Sequence, residues 1–186
     1  MKSNLCKISE TSSTFTFITL HIKTKCQRTY IHSVNVASYA SQLAALIIPN
    51  EIDVVKIAGL LHDVGKIMID DKILHKNGRL TSVEYEEMKK HSIYGYEYLK
   101  ASCEFEQYAE IVRHHHERWD GYGYPDGLSG EKIPIHSRII AIADAYADMT
   151  SIREYRNPLS AAESFHEIKK NADSHFDPIH SQLFLS

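Results

Sequence analysis

Histidine and aspartate recur in this chain at places where an apolar core has no use for them. His62 and Asp63 sit inside Leu60-Leu61-His62-Asp63-Val64-Gly65-Lys66. His114-His115-His116 runs directly into Glu117-Arg118-Trp119-Asp120-Gly121-Tyr122-Gly123-Tyr124-Pro125. His32, His91 and Asp144 stand singly in other segments. Imidazoles and carboxylates are the ligands that borderline and hard transition metals prefer. Several of them on apolar, helix-like segments imply a buried metal centre, and chemistry on a phosphate ester.

The spacing says how they would meet. Consecutive helical residues differ by about 100° in direction. His62 and Asp63 can therefore reach one point from one segment, and His115 and His116 can do so from another. His32 falls mid-helix, His91 near the end of a later helix, and Asp144 on the helix after the glycine-rich stretch. Five segments thus offer ligands to one interior point, as in bundle-core metal sites. Five His and two Asp are too many for one six-coordinate ion that keeps a position open for water. The count favours two ions, with Asp63 as the carboxylate that touches both. Two ions about 3.5–4 Å apart clamp a phosphodiester oxygen and acidify a water, so no separate strong base is required.

Each piece alone has an ordinary explanation. A His-Asp dipeptide is usually a satisfied polar pair. A His triplet is often a surface accident, with one of the three a spectator. A His on an apolar face is more often hydrogen-bonded in a core, Asp144 could be a structural pair, and Gly-Tyr-Gly-Tyr-Pro a turn. Their conjunction on helical segments is what points to a site.

The elements that must position these residues read as helices. Ile31, Val34, Ala37, Ala40, Leu43, Ala44 and Ile47 recur at helical spacing from about Arg28 to Ile48, where Pro49-Asn50 stops the run. Residues 52–64 form a second apolar helix, with Gly65 as its C′ residue. Residues 66–80 read as a loop. Thr81 with Glu84 has capping-box spacing and opens a third helix. A fourth runs from about Glu104 to Glu117. Residues 118–134, with Gly121, Gly123, Gly127, Gly130, Pro125 and Pro134, form a long shaped loop. Pro134 precedes a helix to about Met149, Pro158 opens another to about Asn171, and Pro178 a last one. Residues 9–16 are the expected frayed part, and their continuation to Lys25 fits either a short helix or an edge strand. Strand signals are weak throughout. The expectation is an all-α fold, a compact helical bundle.

Composition narrows the class. A chain of 186 residues is one domain with room for a real core. Its net charge of -3, with no long like-charge run, argues against bulk nucleic-acid binding. Cys6, Cys26 and Cys103 form no CxxC pair and fit a reducing, cytoplasmic compartment. Phe15-Thr16-Phe17-Ile18-Thr19-Leu20 is too short and too polar for a signal peptide or membrane span.

Taken in order, these motifs resemble the HD-GYP branch of the HD-domain metal-dependent phosphohydrolases. The matching stretches are His32-Ser33, Leu61 to Ile67, Ile73 to Thr81, and His91 with Gly95. His115 to Pro125 follows, then Gly127-Leu128, Ile133-Pro134, Arg138-Ile139 and Ala143-Asp144. Thr150-Ser151, Arg153, Tyr155-Arg156 and Phe176-Asp177-Pro178 complete the set. The likeness covers roughly residues 25–185. It implies an HD-type helical bundle with the glycine-rich loop at the site mouth, a catalytic domain over 25–186, and a partly ordered or helical N-terminal segment over 1–24.

The resemblance further implies a cyclic di-GMP phosphodiesterase of bacterial signalling, yielding pGpG and in many cases GMP. One divalent ion would take His32, His62, Asp63 and Asp144, the other Asp63, His91, His115 and His116. The resemblance implies iron or manganese, while the ligand types themselves suit iron, manganese, nickel or zinc. Lys66 would face the scissile phosphate beside the catalytic Asp63. Arg153 and Arg156 would hold substrate phosphate. Gly123, Tyr124 and Pro125 would shape the substrate mouth; apart from the resemblance, the same loop is an expected docking surface for protein partners. The oligomeric state stays open, with a dimer as one expectation.

The chain also departs from the pattern. Some relatives carry a Glu one turn before the first His, and with it a third metal; Arg28 stands there. The usual Asp after the tyrosine is Ala147, followed by Asp148, and Ile152 and Glu154 flank Arg153 in place of the common Asp and Pro. The alternatives kept are a phosphohydrolase for another nucleotide or phosphate ester, and a non-hydrolytic cyclic-dinucleotide sensor or docking module.

Overall fold

The computed structural model describes residues 15–151 and 157–185. These residues form a helical bundle, with no strand among them beyond an isolated bridge between Ala172 and Phe176.

Residues 15–25 are helical (α1), which resolves the alternative left by the sequence. Ile18 and Ile22, one turn apart, are both buried, and a helix puts them on one face. After a break at Cys26, α2 runs Gln27–Ile47. Its buried stripe is Val36, Ala37, Ala40, Leu43 and Ala44, flanked by Thr29 and Ser33. Ile31 and Val34 match the helical period but point outward, 51% and 41% exposed. The short side chains of the true stripe let α3 (Ile52–Leu61) and, later in the chain, α8 (Ile135–Thr150) pack closely on α2.

The next stretch differs most from expectation. Helix α3 stops at Leu61, and His62-Asp63 form the turn into a 3₁₀ segment, Val64–Met68. The expected loop over 66–80 holds half of that segment and a short α4, Asp71–Leu74. The Asp70 side chain caps α4 by accepting from the Lys72 amide. Gly65 has no positive φ, so it is not a left-handed cap; it is needed for close packing. Thr81 and Glu84 form the expected capping box at the start of α5, Ser82–Lys89. The chain then turns at Lys90, and α6 is His91–Lys100. His91 therefore begins a helix rather than nearing the end of one.

Helix α7 is Glu106–Arg113, shorter than the expected 104–117, and His114 to His116 form the turn after it. Helix α9, Ala161–Lys170, is capped by Ser160, two residues beyond the expected start at Pro158. Helix α10 is Pro178–Phe184, capped by Asp177.

Val36, Leu43, Val55, Leu61, Leu99, Val112, Ile139, Ile140 and Ile142 form the centre of one continuous core. Each such side chain contributes about 1.5–3 kcal/mol when removed from water. This core is the rigid frame on which the ends of α3 and α7, the start of α6, the second turn of α2 and the middle of α8 meet.

Candidate metal centre

The expected ligands converge. His32 comes from the second turn of α2 rather than its middle, His62 and Asp63 from the turn after α3, and His91 from the first position of α6. His115 and His116 come from the turn after α7, and Asp144 from α8. Their imidazoles form a connected chain, with ring centroids 5.3 Å apart for His32–His62, 5.0 Å for His62–His115 and 4.9 Å for His91–His116. His62, Asp63, His91 and His115 are each no more than 2% exposed. His32 and Asp144 sit at the open side, with side chains 14% and 16% exposed.

Local structure fixes which nitrogen faces inward. The His62 Nδ1–H donates to the Gly59 carbonyl at 2.7 Å, His91 to Met88 at 2.7 Å, and His115 to Val112 at 2.6 Å. In each case the acceptor lies three residues back, at a helix end where carbonyls lack intrahelical partners. This choice of tautomer leaves the three Nε2 lone pairs aimed at the centre. The His91 and His115 Nε2 atoms come within 3.4 Å of each other, and the buried His62 Nε2 has no hydrogen-bond partner. Bare lone pairs held this close repel, and a shared cation converts the repulsion into binding. The donor set therefore fits a metal.

The ligand atoms separate into two groups. Donor atoms of His91, His115 and His116 lie within 4.8 Å of one another, and so do those of His32, His62 and Asp63. Asp63 faces both groups. Its Oδ2 is 3.4 Å from His62 Nε2, and its Oδ1 is 3.4 Å from His91 Nε2. Asp144 Oδ1 is 2.8 Å from His32 Nε2 and 3.9 Å from His62 Nε2.

The protein's own charges fit this arrangement. Burial would raise the Asp63 carboxyl, but Lys66, His62 and His91 outweigh it and hold the group well below the usual range. Asp144 is lowered too, because its contacts with His32, His62 and His116 overcome burial. Burial pushes His91 down to about 4 and His115 down to about 3, and holds His116 well below the usual imidazole range. His62 goes the other way, to about 8, since the Asp63 and Asp144 charges overcome its burial. The centre is thus built of ionised carboxylates and largely neutral imidazoles, the forms that bind metals.

Lys66 reaches back one turn, its Nζ 2.6 Å from Asp63 Oδ2. Burial would lower this ammonium, and Asp63 and Asp144 raise it instead. Tyr124 stacks on His116 with centroids 4.8 Å apart, and burial pushes its phenol well above the usual range. The expected substrate contacts Arg153 and Arg156 lie outside the described residues.

The glycine-rich loop is anchored by residues outside the ligand set. His114 is the spectator of the triplet: it turns away, and its Nε2 lies 2.9 Å from Asp126 Oδ2. Arg113 bonds the same carboxylate through two nitrogens, at 2.7 and 2.8 Å. Glu117, 2% exposed, accepts from the Asp126 and Leu128 amides at 2.7 and 3.0 Å. A Cβ on Gly123 would lie 2.4 Å from the Arg118 amide nitrogen, so only glycine lets the loop fold back here. Glu117→Ala removes a carboxylate that satisfies two amides. We expect it to cost about 3 kcal/mol in chemical denaturation, with Glu117→Gln losing less.

The described residues contain no helix long and apolar enough to cross a membrane. A family model described as the HD domain matches residues 17–179. The chain is 39% identical over 168 residues to the 3'3'-cGAMP-specific phosphodiesterase 2 of Vibrio cholerae, covering 88% of this chain and 32% of that protein. It is 40% identical over 161 residues to a cyclic di-GMP phosphodiesterase of Thermotoga maritima, covering 84% of this chain and 44% of that protein. The chain thus spans less than half the length of these curated relatives. Among solved structures, an HDG"Y"P protein of Bdellovibrio bacteriovorus matches with a TM-score of 0.67 at 20% identity, over 84% of this chain and 51% of that one. The HD domain of the phosphodiesterase PgpH of L. monocytogenes matches with a TM-score of 0.65 at 19% identity, over 90% of this chain and 93% of that one. At these identities the structural likeness speaks for the fold.

Proposed function

The chain belongs to the HD-domain family, and from that membership we propose that it is a metal-dependent phosphodiesterase that hydrolyses cyclic di-GMP to pGpG, and on to GMP. One observation carries the reading: the two groups of buried donors share Asp63, whose oxygens face His62 on one side and His91 on the other. In this proposal His32, His62, Asp63 and Asp144 hold one divalent ion, and Asp63, His91, His115 and His116 hold the second. Iron or manganese is the proposed pair by family likeness, and the ligands suit nickel or zinc as well. When bound, such a pair supplies Lewis acidity and an acidified water for in-line attack at phosphorus.

The remaining steps fall to the chain itself. Lys66 supplies a fixed positive charge at the edge of the centre. Its ammonium swings from Asp63 toward the scissile phosphate and offsets the charge that grows as the bond breaks. Tyr124, stacked on His116, forms a wall that orients the substrate against the centre. Gly123, Tyr124 and Pro125 shape the mouth, and the anchors on Glu117 and Asp126 keep that mouth from collapsing. The outer face of the same loop is the proposed docking surface for protein partners. Arg153 and Arg156 are the proposed phosphate clamps. The catalytic domain is assigned to residues 25–186 and acts in the cytoplasm, with residues 1–24 as an appended segment.

Lys66→Ala is the discriminating variant. It leaves metal content at the wild-type level and lowers kcat by about 10²–10³-fold. A loss of metal would show that the lysine holds the centre together instead. A second substrate is favoured by the likeness to a 3'3'-cGAMP-specific enzyme. A panel of cyclic di-GMP, 3'3'-cGAMP, cyclic di-AMP and a simple phosphate ester, assayed on metal-loaded protein, tests the reading. Cleavage of cyclic di-GMP with the highest kcat/KM supports it. Preference for another ester moves the substrate, and tight binding without turnover makes the chain a sensor.

A further inference from the structure

His32 differs from the ligands whose tautomer a backbone carbonyl fixes. His62, His91 and His115 stand at helix ends and give their Nδ1–H to a helix-end carbonyl three residues back. His32 lies inside α2, where backbone carbonyls are already taken by amides four residues on. Its Nε2 faces the centre beside Asp144. Its Nδ1 must therefore find a side-chain acceptor, and the group at hand is Asp148, with Oδ1 at 3.5 Å. Asp148 lies one turn beyond Asp144 on α8, so both carboxylates project on the same side of that helix. Donor atoms of His32, Asp144 and Asp148 all lie within 4.8 Å of one another.

We propose that Asp148 is a positioning residue for the metal centre: it holds the Nδ1–H of His32 and so presents the Nε2 lone pair to the ion. This rests on the metal-centre reading above and extends it by one residue outside the ligand set. The side chain of Asp148 is 45% exposed, at the open side of the centre, with its Oδ1 3.5 Å from the ring nitrogen it would hold. Ligating histidines characteristically give their second N–H to such a partner, which fixes the ring and raises its basicity. Helix α8 then grips His32 from both ends of the imidazole.

The test is a cobalt(II) titration of the metal-stripped full chain, read by visible ligand-field absorption, for wild type, Asp148→Ala, Asp148→Asn and His32→Ala. We expect Asp148→Ala to weaken the His32-dependent binding phase about 10- to 100-fold and to shift its absorption band. Asp148→Asn keeps an oxygen acceptor and recovers part of the loss. Added to His32→Ala, the Asp148→Ala change has no further effect. Thermal melting of the stripped chain stays unchanged, which separates positioning from a structural role. Wild-type affinity and an unshifted band in Asp148→Ala would overturn the proposal. Wild-type protein that takes up no cobalt would instead overturn the centre on which it rests.

Discussion

Asp63→Ala is expected to strip metal from both halves of the centre and to lower phosphodiester cleavage by at least ~10³-fold. The carboxylate is 1% exposed and lies between His62, His91 and Lys66, at 3.4, 3.4 and 2.6 Å. Asp144 Oδ1 lies 2.8 and 3.9 Å from the His32 and His62 Nε2 atoms, whereas Asp63 has one oxygen 3.4 Å from His62 and the other 3.4 Å from His91. Its loss also leaves the Lys66 ammonium and the His62 imidazole without their nearest anion, so the centre disfavours cations. Elemental analysis of the purified variant alongside an assay of cyclic di-GMP cleavage checks this. A variant that kept one full equivalent of metal would show that the two groups bind independently and that Asp63 is not shared.

The second large effect is on folding. A Cβ at residue 65 would lie 1.9 Å from the His91 carbonyl oxygen and 2.4 Å from the Gly95 amide nitrogen. Both are backbone atoms, so no rotamer change relieves the clash. Gly65→Ala must push the 3₁₀ segment Val64–Met68 away from α6, and with it Asp63 away from His91. Overpacking of this kind costs about 3 kcal/mol or more, enough to lower the melting temperature by several degrees. Calorimetry measures the loss. A stability within 1 kcal/mol of wild type, with metal content intact, would mean that this contact is looser than the structure has it.

These two residues also show what could be read before the fold was known. Residue type and order were enough to gather His32, His62, Asp63, His91, His115, His116 and Asp144, because few apolar helices carry such groups without cause. The apolar period found α2 and α8 nearly to their ends, and Thr81 with Glu84 marked the start of α5. The period could not see interruptions. Nothing in the sequence distinguishes the end of α3 at Leu61 from a helix running to Val64, since Leu61 and Val64 are both buried in the same core. The turn at Lys90 is equally silent, yet it puts His91 at a helix start and gives it the Met88 carbonyl. Gly65 read as a chain-ending glycine, whereas its need is for contact with a helix almost thirty residues away. Long-range contacts of that kind set the roles of Glu117, His114 and Asp148 too. Asp148 carried one local clue, its spacing of four from Asp144 on a helix.

The central claim is that five helical segments build one centre for a pair of metal ions that cleaves a cyclic dinucleotide. The most direct measurement is metal content per chain of anaerobically prepared protein, read with cyclic di-GMP cleavage by the same preparation before chelation, after it, and after return of iron(II) or manganese(II). Two ions per chain are expected, with activity that disappears on chelation and returns with both ions. Cleavage that survives complete removal of metal, or a reconstituted chain that holds no ion, would contradict it.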